Sequence, residues 1–286
     1  MSQNLSPQSP MRPLGIGNVV SAGMRLYTSH LKTYLGLSLK AVLWSLIPIY
    51  GWAKACTINA QISRLAFSEL VEQPESVKTA EDRISSRMWS FLGLQILVSL
   101  ILFATNFGLS IVRGLIIGIL SIILGNGGQD VSGSSPLLAL IQLVVVLVTT
   151  AIYIWVYSRV MIPELPLAIE GVDAGTSISR SWDLTKGSVL RIQGVVLVAG
   201  LITLPIFILI FIPVILFFAP ILAASSNASP DTLGSTILLF ILSIVIISLV
   251  AGVLTMPFWQ AIKAVIYYDL RSRREGFGLK LRDRNI

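Results

Sequence analysis

Two runs of sequence decide the fold: GVVLVAGLITLPIFILIFIPVILFF (Gly194–Phe218) and ILLFILSIVIISLVAGVLT (Ile237–Thr255). Both lie in the stretch 192–262, where Asp231 is the only charged residue. About 20 consecutive apolar residues are enough for a helix to cross the hydrocarbon core of a bilayer. The sequence therefore predicts an all-α integral membrane protein.

The composition agrees with a membrane protein. Apolar residues make up 54% of the 286 residues and charged residues 12%, whereas a soluble domain carries about 25% charged residues. The net charge is +7, and the positive residues lie beside apolar spans. This placement is typical of cytoplasmic flanks that contact anionic lipid headgroups, and it does not indicate a nucleic-acid-binding protein. The expected partners are the lipid bilayer and other membrane proteins.

Cysteine and histidine are too few for several kinds of site. Cys56 is the only cysteine and His30 the only histidine, which excludes an intrachain disulfide, a cysteine metal cluster and a His-rich zinc site. We expect no catalytic, metal or cofactor-binding residues and no cofactor. Residues 1–13 are polar and proline-containing, which predicts a disordered tail.

The hydrophobic segments predict about six transmembrane helices. Leu31–Phe67 is a weaker double segment, broken by a tight turn at Pro48-Ile49-Tyr50-Gly51. Its arms are short, so a re-entrant hairpin that dips into the bilayer without emerging is an alternative to two crossings. The strong segments are Trp89–Leu124, Pro136–Tyr157, Val189–Leu222 and Thr236–Tyr267.

The positions of Lys and Arg predict the orientation. Neither residue occurs between 114 and 158 or between 192 and 262, which contain the polar breaks GNGGQDVSGSS and ASSNASPD. These breaks should face away from the cytoplasm, and both chain ends should be cytoplasmic. The predicted location is a bacterial cytoplasmic (inner) membrane, or an internal membrane such as the thylakoid.

Three cytoplasmic stretches have apolar residues at helical spacing and predict amphipathic elbow helices in the headgroup layer. They begin near Val20, Val77 and Ala174. Together with the apolar segments they suggest three weak repeats, 14–70, 71–170 and 171–270, in one membrane domain (14–270) followed by a basic tail (271–286). The alternative is that cytoplasmic loops between membrane helices commonly have this pattern.

One helix face in the double segment is polar. Lys54, Thr57, Gln61 and Arg64 recur every three or four residues and so share a face. They could form a solute path or an anionic-headgroup site, or they could reach the membrane surface from a tilted helix.

Arginines near the elbows and the C-terminal end are candidate contacts for lipid headgroups or partner proteins. These are Arg25, Arg87, Arg180, Arg271, Arg273 and Arg274, with Asp269 and Glu275 available to pair with the last three. In RVMIPELPLAIE, two prolines predict an extended exit from the membrane. Glu164 lies at that exit and could pair with Arg159 or with an elbow arginine.

Two motifs carry a resemblance to a known family. SRSWDLTKGSVLRIQG (Ser179–Gly194) and YYDLRSRREGFGL (Tyr267–Leu279) resemble the bacterial family named after the membrane domain of glycerophosphoryl diester phosphodiesterase. The resemblance implies a six-helix membrane module without assigned activity. This chain has no room for the catalytic barrel of the family's namesake, so the resemblance implies no enzyme.

Three functional hypotheses remain at this stage. The first is a non-enzymatic membrane scaffold or accessory factor that contacts lipids or other membrane proteins. The second is a transporter or channel for a small or anionic solute, lined by the polar face at Lys54–Arg64. The third, a membrane enzyme, has least support because no acidic residue lies within a strong apolar run.

Overall fold

The computed structural model describes residues 15–123, 136–224 and 230–276. Within these ranges the chain forms ten helices. They are α1 (Ile16–Ser29), α2 (Leu31–Ser45), α3 (Tyr50–Leu70), α4 (Val77–Ser85), α5 (Met88–Ile123), α6 (Pro136–Arg159), α7 (Glu164–Ile169), α8 (Ala174–Thr185), α9 (Val189–Ala224) and α10 (Pro230–Glu275).

Four of these helices are long and apolar enough to cross a bilayer: α5, α6, α9 and α10. Each coincides with one of the strong hydrophobic segments of the sequence, so the prediction of a helical, multi-pass membrane protein is confirmed. α9 and α10 have 36 and 46 residues. At about 1.5 Å per residue both exceed the length of one perpendicular crossing.

The double segment forms a helical hairpin, α2 and α3, with the predicted turn between them. Ile49 in this turn has φ +60°, and a Cβ on Gly51 would lie 2.0 Å from the Trp44 carbonyl oxygen. Only glycine allows so close an approach of the two arms. α2 has 15 residues, or about 22 Å of helix, and neither arm is among the four candidate spans.

A short helix followed by two longer ones occurs three times along the chain. The three sets are α1–α2–α3, α4–α5–α6 and α8–α9–α10, with α7 between the second and the third. Side chains cap two of the short helices, since the backbone amide of Thr79 donates to Ser76 and that of Thr176 donates to Asp173. The order matches the suggested repeats, whose common origin stays a prediction.

The buried core lies toward one end of the helices. Tyr34, Ile62, Ile162, Ile262 and Tyr267 are almost completely buried there, where α1, α2, α3 and α10 pack together. The other parts of the long helices expose large apolar side chains. In α5 and α9, for example, Phe103 is 67% and Leu209 78% exposed. Such surfaces are stable only when lipid or apolar protein covers them.

Several sequence predictions lie outside the described residues. They are the disordered tail at 1–13, the polar break at 125–135, most of the polar break at 224–231, and the basic tail beyond residue 276.

Candidate functional site: an ionic layer between the elbow helices and α10

The predicted polar face of α3 mostly contacts protein. The Gln61 amide donates a hydrogen bond to the Val77 carbonyl at 2.8 Å, and the Thr57 hydroxyl donates to the Ala53 carbonyl within its own helix. Both side chains are buried. Lys54 is partly exposed and has no ion pair among the described residues.

Arg64, the fourth residue of that face, connects three segments. Its guanidinium makes two hydrogen bonds of 2.8 Å with the Glu75 carboxylate and also donates to the Ala168 carbonyl. Arg83 approaches the same carboxylate at 3.1 Å. Hydrogen bonds from Arg64 and the charges of both arginines hold the pKa of Glu75 below its usual value. A bidentate pair of this kind fixes geometry as well as adding energy.

The segment after α6 differs from the prediction of an extended exit. It forms the short helix α7. The helix tolerates Pro163 and Pro166 because they lie at its N-cap and in its first turn, where the backbone N–H groups have no partner within the helix. Glu164 pairs with Lys263 of α10, with 3.1 Å between Oε1 and Nζ. Its partner is therefore a lysine of α10 and neither of the candidates that the sequence suggested, Arg159 or an elbow arginine.

Glu164 also joins α3 to this contact. The Ser63 hydroxyl lies 3.2 Å from Glu164 Oε1 and 2.9 Å from the amide oxygen of Gln260. α3, α7 and α10 are thus connected by one polar cluster beside the apolar core.

Arg159 at the end of α6 is held between two indole rings. Its guanidinium carbon lies 5.1 Å from the Trp155 ring centroid and 5.4 Å from that of Trp182. It also donates to the Trp182 carbonyl at 3.1 Å, while the Ser181 hydroxyl donates to the Arg159 carbonyl at 2.6 Å. These contacts fasten the elbow helix α8 to α6.

Arg180 of α8 connects to both α7 and α10. It pairs with Glu170 at 3.1 Å and also with Glu275. Arg271 pairs with Glu275 one turn earlier in α10, and the hydroxyl of Tyr267 donates to Glu170. The side chains of the two glutamates are about four-fifths buried.

All but one of the remaining candidate arginines form a hydrogen bond or an ion pair within the protein. Arg87 donates to the Gly171 carbonyl, Arg274 to the Lys186 carbonyl, and Arg273 pairs with Asp269 at 3.0 Å. Arg25 is exposed and has no ion pair among the described residues.

We call this set of contacts the ionic layer. It consists of the pairs and hydrogen bonds made by Arg64, Arg83, Glu75, Glu164, Lys263, Arg180, Glu170, Arg271, Glu275, Arg191, Asp269 and Arg273. Each of its carboxylates pairs with at least one cation from another part of the chain, so its evident chemical role is to hold α3, α4, α7, α8, α9 and α10 in one arrangement. Sequence reasoning anticipated Asp269 and Glu275 but missed Lys263, whose partner is 99 positions away, and Glu170, which pairs with Arg180 ten positions away and also with Arg271 of α10.

The fold and the ionic layer define a helical, multi-pass membrane protein in which partly buried ion pairs link the short helices α7 and α8 to α10. Residues 57–267 match the family described as Domain of unknown function (DUF7847). Since the match covers most of the chain, the protein belongs to this family. No curated protein and no solved structure matches the chain.

Proposed function

We propose that the protein is a non-enzymatic membrane scaffold or accessory factor that contacts lipids or other membrane proteins. The observation that carries this proposal is the ionic layer, which joins the elbow helix α8 to α10 and the elbow helix α4 to α3 while the long helices expose apolar surface. A fixed polar platform above lipid-facing helices is suited to holding a partner in a constant position.

The ionic layer is proposed to face the cytoplasm of a bacterial cell, at the cytoplasmic or an internal membrane. The positive-inside rule supports this, because Arg191, Arg271 and Arg273 of the layer flank α9 and α10. α5 and α9 begin at the layer and α6 and α10 end there, which supports the same side for both ends of the described chain.

The α2–α3 hairpin is proposed to enter the bilayer from the same side. His30 and Glu69, at the bases of the two arms, lie 3.3 Å apart. At the other end, Leu46 and Ile49 are about 60% exposed and the turn has no charge. An apolar tip on a hairpin whose first arm has only 15 residues favours the re-entrant alternative over two complete crossings.

The contacts of the polar face on α3 favour a scaffold over a solute path. The side chains of Gln61 and Arg64 donate hydrogen bonds to oxygen atoms of the protein, so a solute entering there would have to break these hydrogen bonds. The similarity to the membrane domain of glycerophosphoryl diester phosphodiesterase remains a proposal, and it also favours a module without catalysis.

Purification in a mild detergent, with mass spectrometry of copurified proteins and lipids, tests the scaffold. We expect a stoichiometric membrane-protein partner. Charge reversal at Arg25 and Lys78 should release this partner, because both side chains are exposed on elbow helices and available to contact it. Neither side chain belongs to the ionic layer, so the fold should be unaffected. The matched control is Lys54→Gln, a partly exposed lysine in α3 away from the elbows. A lone monomer that carries a defined solute would contradict the scaffold and support transport.

A further inference from the structure

A polar cleft lies between α5 and α6, within the candidate spans Met88–Leu120 and Ala139–Ile169. Its polar side chains are Asn106, Ser110 and Arg113 of α5 and Thr149, Thr150 and Tyr153 of α6. The three α5 residues are spaced by four and three positions, so they share one helix face, and all three are exposed. Within the described residues, neither α9 nor α10 contributes to the wall of the cleft. The cleft therefore opens sideways from the helix pair.

The position of the cleft along the helices places it near the middle of the bilayer. α6 is about 36 Å long, slightly more than a hydrocarbon core of about 30 Å. Thr149 is about 20 Å from the first residue of this helix, Pro136, and about 15 Å from the last, Arg159. On α5, Arg113 is about 15 Å from the last residue, Ile123. The lipid headgroups are therefore about half a hydrocarbon core away on either side.

Arg113 gives the cleft a positive charge that the protein does not neutralise. Its guanidinium has no ion pair or hydrogen bond within the part of the chain that the structure describes. The sequence has no acidic residue between 88 and 163 except Asp130, nor between 192 and 262 except Asp231, and both belong to the polar breaks. A second copy of the chain would bring another arginine and no carboxylate to this depth. Since an unpaired charge at the centre of a bilayer is costly, the counter-charge must come from a different molecule.

The size and the lining of the cleft indicate what kind of molecule carries the counter-charge. Its volume is about 110 Å³, far below the range of about 300–1,000 Å³ that is typical of small-molecule sites, so it has room for one side chain. A lipid phosphate is disfavoured, because it would have to leave the headgroup layer to reach the middle of the bilayer. Ser, Thr and Asn side chains commonly form hydrogen bonds between helices in membranes. These features fit a neighbouring helix that presents a single acidic side chain.

We propose that the cleft docks a transmembrane helix of another protein, with the carboxylate of an Asp or Glu residue of that helix paired with Arg113. The hydroxyl groups of Ser110 and Tyr153 donate hydrogen bonds to the same carboxylate. This inference rests on the proposed scaffold function, because it specifies how a partner is held within the bilayer, in addition to any contact at the elbows.

Photo-crosslinking to synthetic transmembrane helices tests this site, in phosphatidylcholine vesicles that contain the whole chain. One peptide has about 20 leucines, a glutamate at its centre and a photoreactive leucine analogue beside the glutamate, while a second has leucine in place of the glutamate. The measured quantity is the fraction of protein cross-linked to peptide, by intact mass. We expect the glutamate peptide to give at least about fivefold more product, cross-linked to α5 and α6, because only this peptide pairs with Arg113.

Two substitutions of the arginine make the result specific. Arg113→Leu should abolish the preference for the glutamate peptide. Arg113→Glu should reverse it, so that a peptide with a central lysine gives at least about fivefold more product than the glutamate peptide. Binding of the lysine peptide also shows that this variant is folded. The matched control is Gln142→Leu, at an exposed polar residue of α6 that does not line the cleft, and it should leave the preference unchanged.

Three results would overturn the proposal. The first is equal cross-linking of the glutamate and leucine peptides, or a preference that survives in Arg113→Leu. The second is loss of the preference when phosphatidylglycerol replaces phosphatidylcholine, which would assign the cleft to an anionic lipid. The third is a dimer of the protein that forms without peptide and is lost with Arg113→Leu, which would assign the cleft to a second copy. None of these results would affect the elbow contacts, which the copurification experiment tests separately at Arg25 and Lys78.

Discussion

The contact between Glu164 and Lys263 allows a quantitative test of the ionic layer. Both side chains are about four-fifths buried, and Ser63 lies within hydrogen-bonding distance of the same carboxylate oxygen. An exposed ion pair contributes about 0–1 kcal/mol, whereas breaking a fully buried pair costs about 3–5 kcal/mol. For this intermediate burial we expect Glu164→Leu to lower the free energy of unfolding by about 2 kcal/mol.

The second variant, Lys263→Met, should cost a similar amount because it leaves the carboxylate of Glu164 without its cation. Once one residue of the pair has been replaced, replacing the other lowers the free energy of unfolding only a little further. The double variant should therefore be destabilised by about 2.5 kcal/mol and not by the sum of about 4, which gives a coupling energy of about 1.5 kcal/mol.

Reversible unfolding in mixed micelles with rising dodecyl sulfate, followed by circular dichroism, measures these free energies. The matched control combines Lys263→Met with Glu81→Leu, since Glu81 is exposed on α4. That pair should be additive within about 0.5 kcal/mol. If the Glu164 and Lys263 variants were also additive, the two charges would not be coupled and our account of the layer would be refuted.

Further substitutions test other contacts by the same unfolding measurement. Gly23→Ala should cost about 1–3 kcal/mol, because a Cβ there would lie 2.4 Å from an Ile262 methyl group; Gly36→Ala, with open space around it, should be neutral or stabilising by up to about 1 kcal/mol. Tyr27→Phe should cost about 1 kcal/mol, since its hydroxyl donates to a backbone carbonyl of α10 at 3.0 Å, and no loss would contradict that contact. The lowered pKa of Glu75 contributes stability that is complete above its usual value of 4.5 and is lost as the pH falls through the lowered pKa. Glu75→Gln should therefore reduce stability at pH 7 but not below that lowered pKa, and an equal deficit at both pH values would refute the linkage.

The long helices and the hairpin turn could be predicted because their causes are local. A helix that crosses a bilayer requires a long uninterrupted apolar run, which is visible in the sequence. The hairpin turn is also visible there, because Pro48 and Gly51 lie only three positions apart and interrupt the weaker segment. Similarly, Asp269 and Arg273 are four residues apart on one helix, so their contact follows from helical geometry.

The partners in the ionic layer could not be predicted because they depend on how distant helices pack. Glu164 and Lys263 are 99 positions apart, and neither flanking sequence indicates the other. The helix α7 was missed for a different reason: prolines usually indicate extended chain, but at the start of a helix they are tolerated. For Gln61, the partner is a backbone carbonyl, which no side-chain pattern can show.

The packing of α1 against α10 has a consequence for how the protein matures. Tyr27 donates a hydrogen bond to the Leu254 carbonyl, and Gly23 lies directly against Ile262, so the first described helix completes its packing only when the ribosome has made the last one. Until then α1 and the α2–α3 hairpin lack their native contacts with α10. Insertion and final assembly are therefore separated in time, and a nascent chain stalled before α10 would be exposed to membrane chaperones and quality-control proteases.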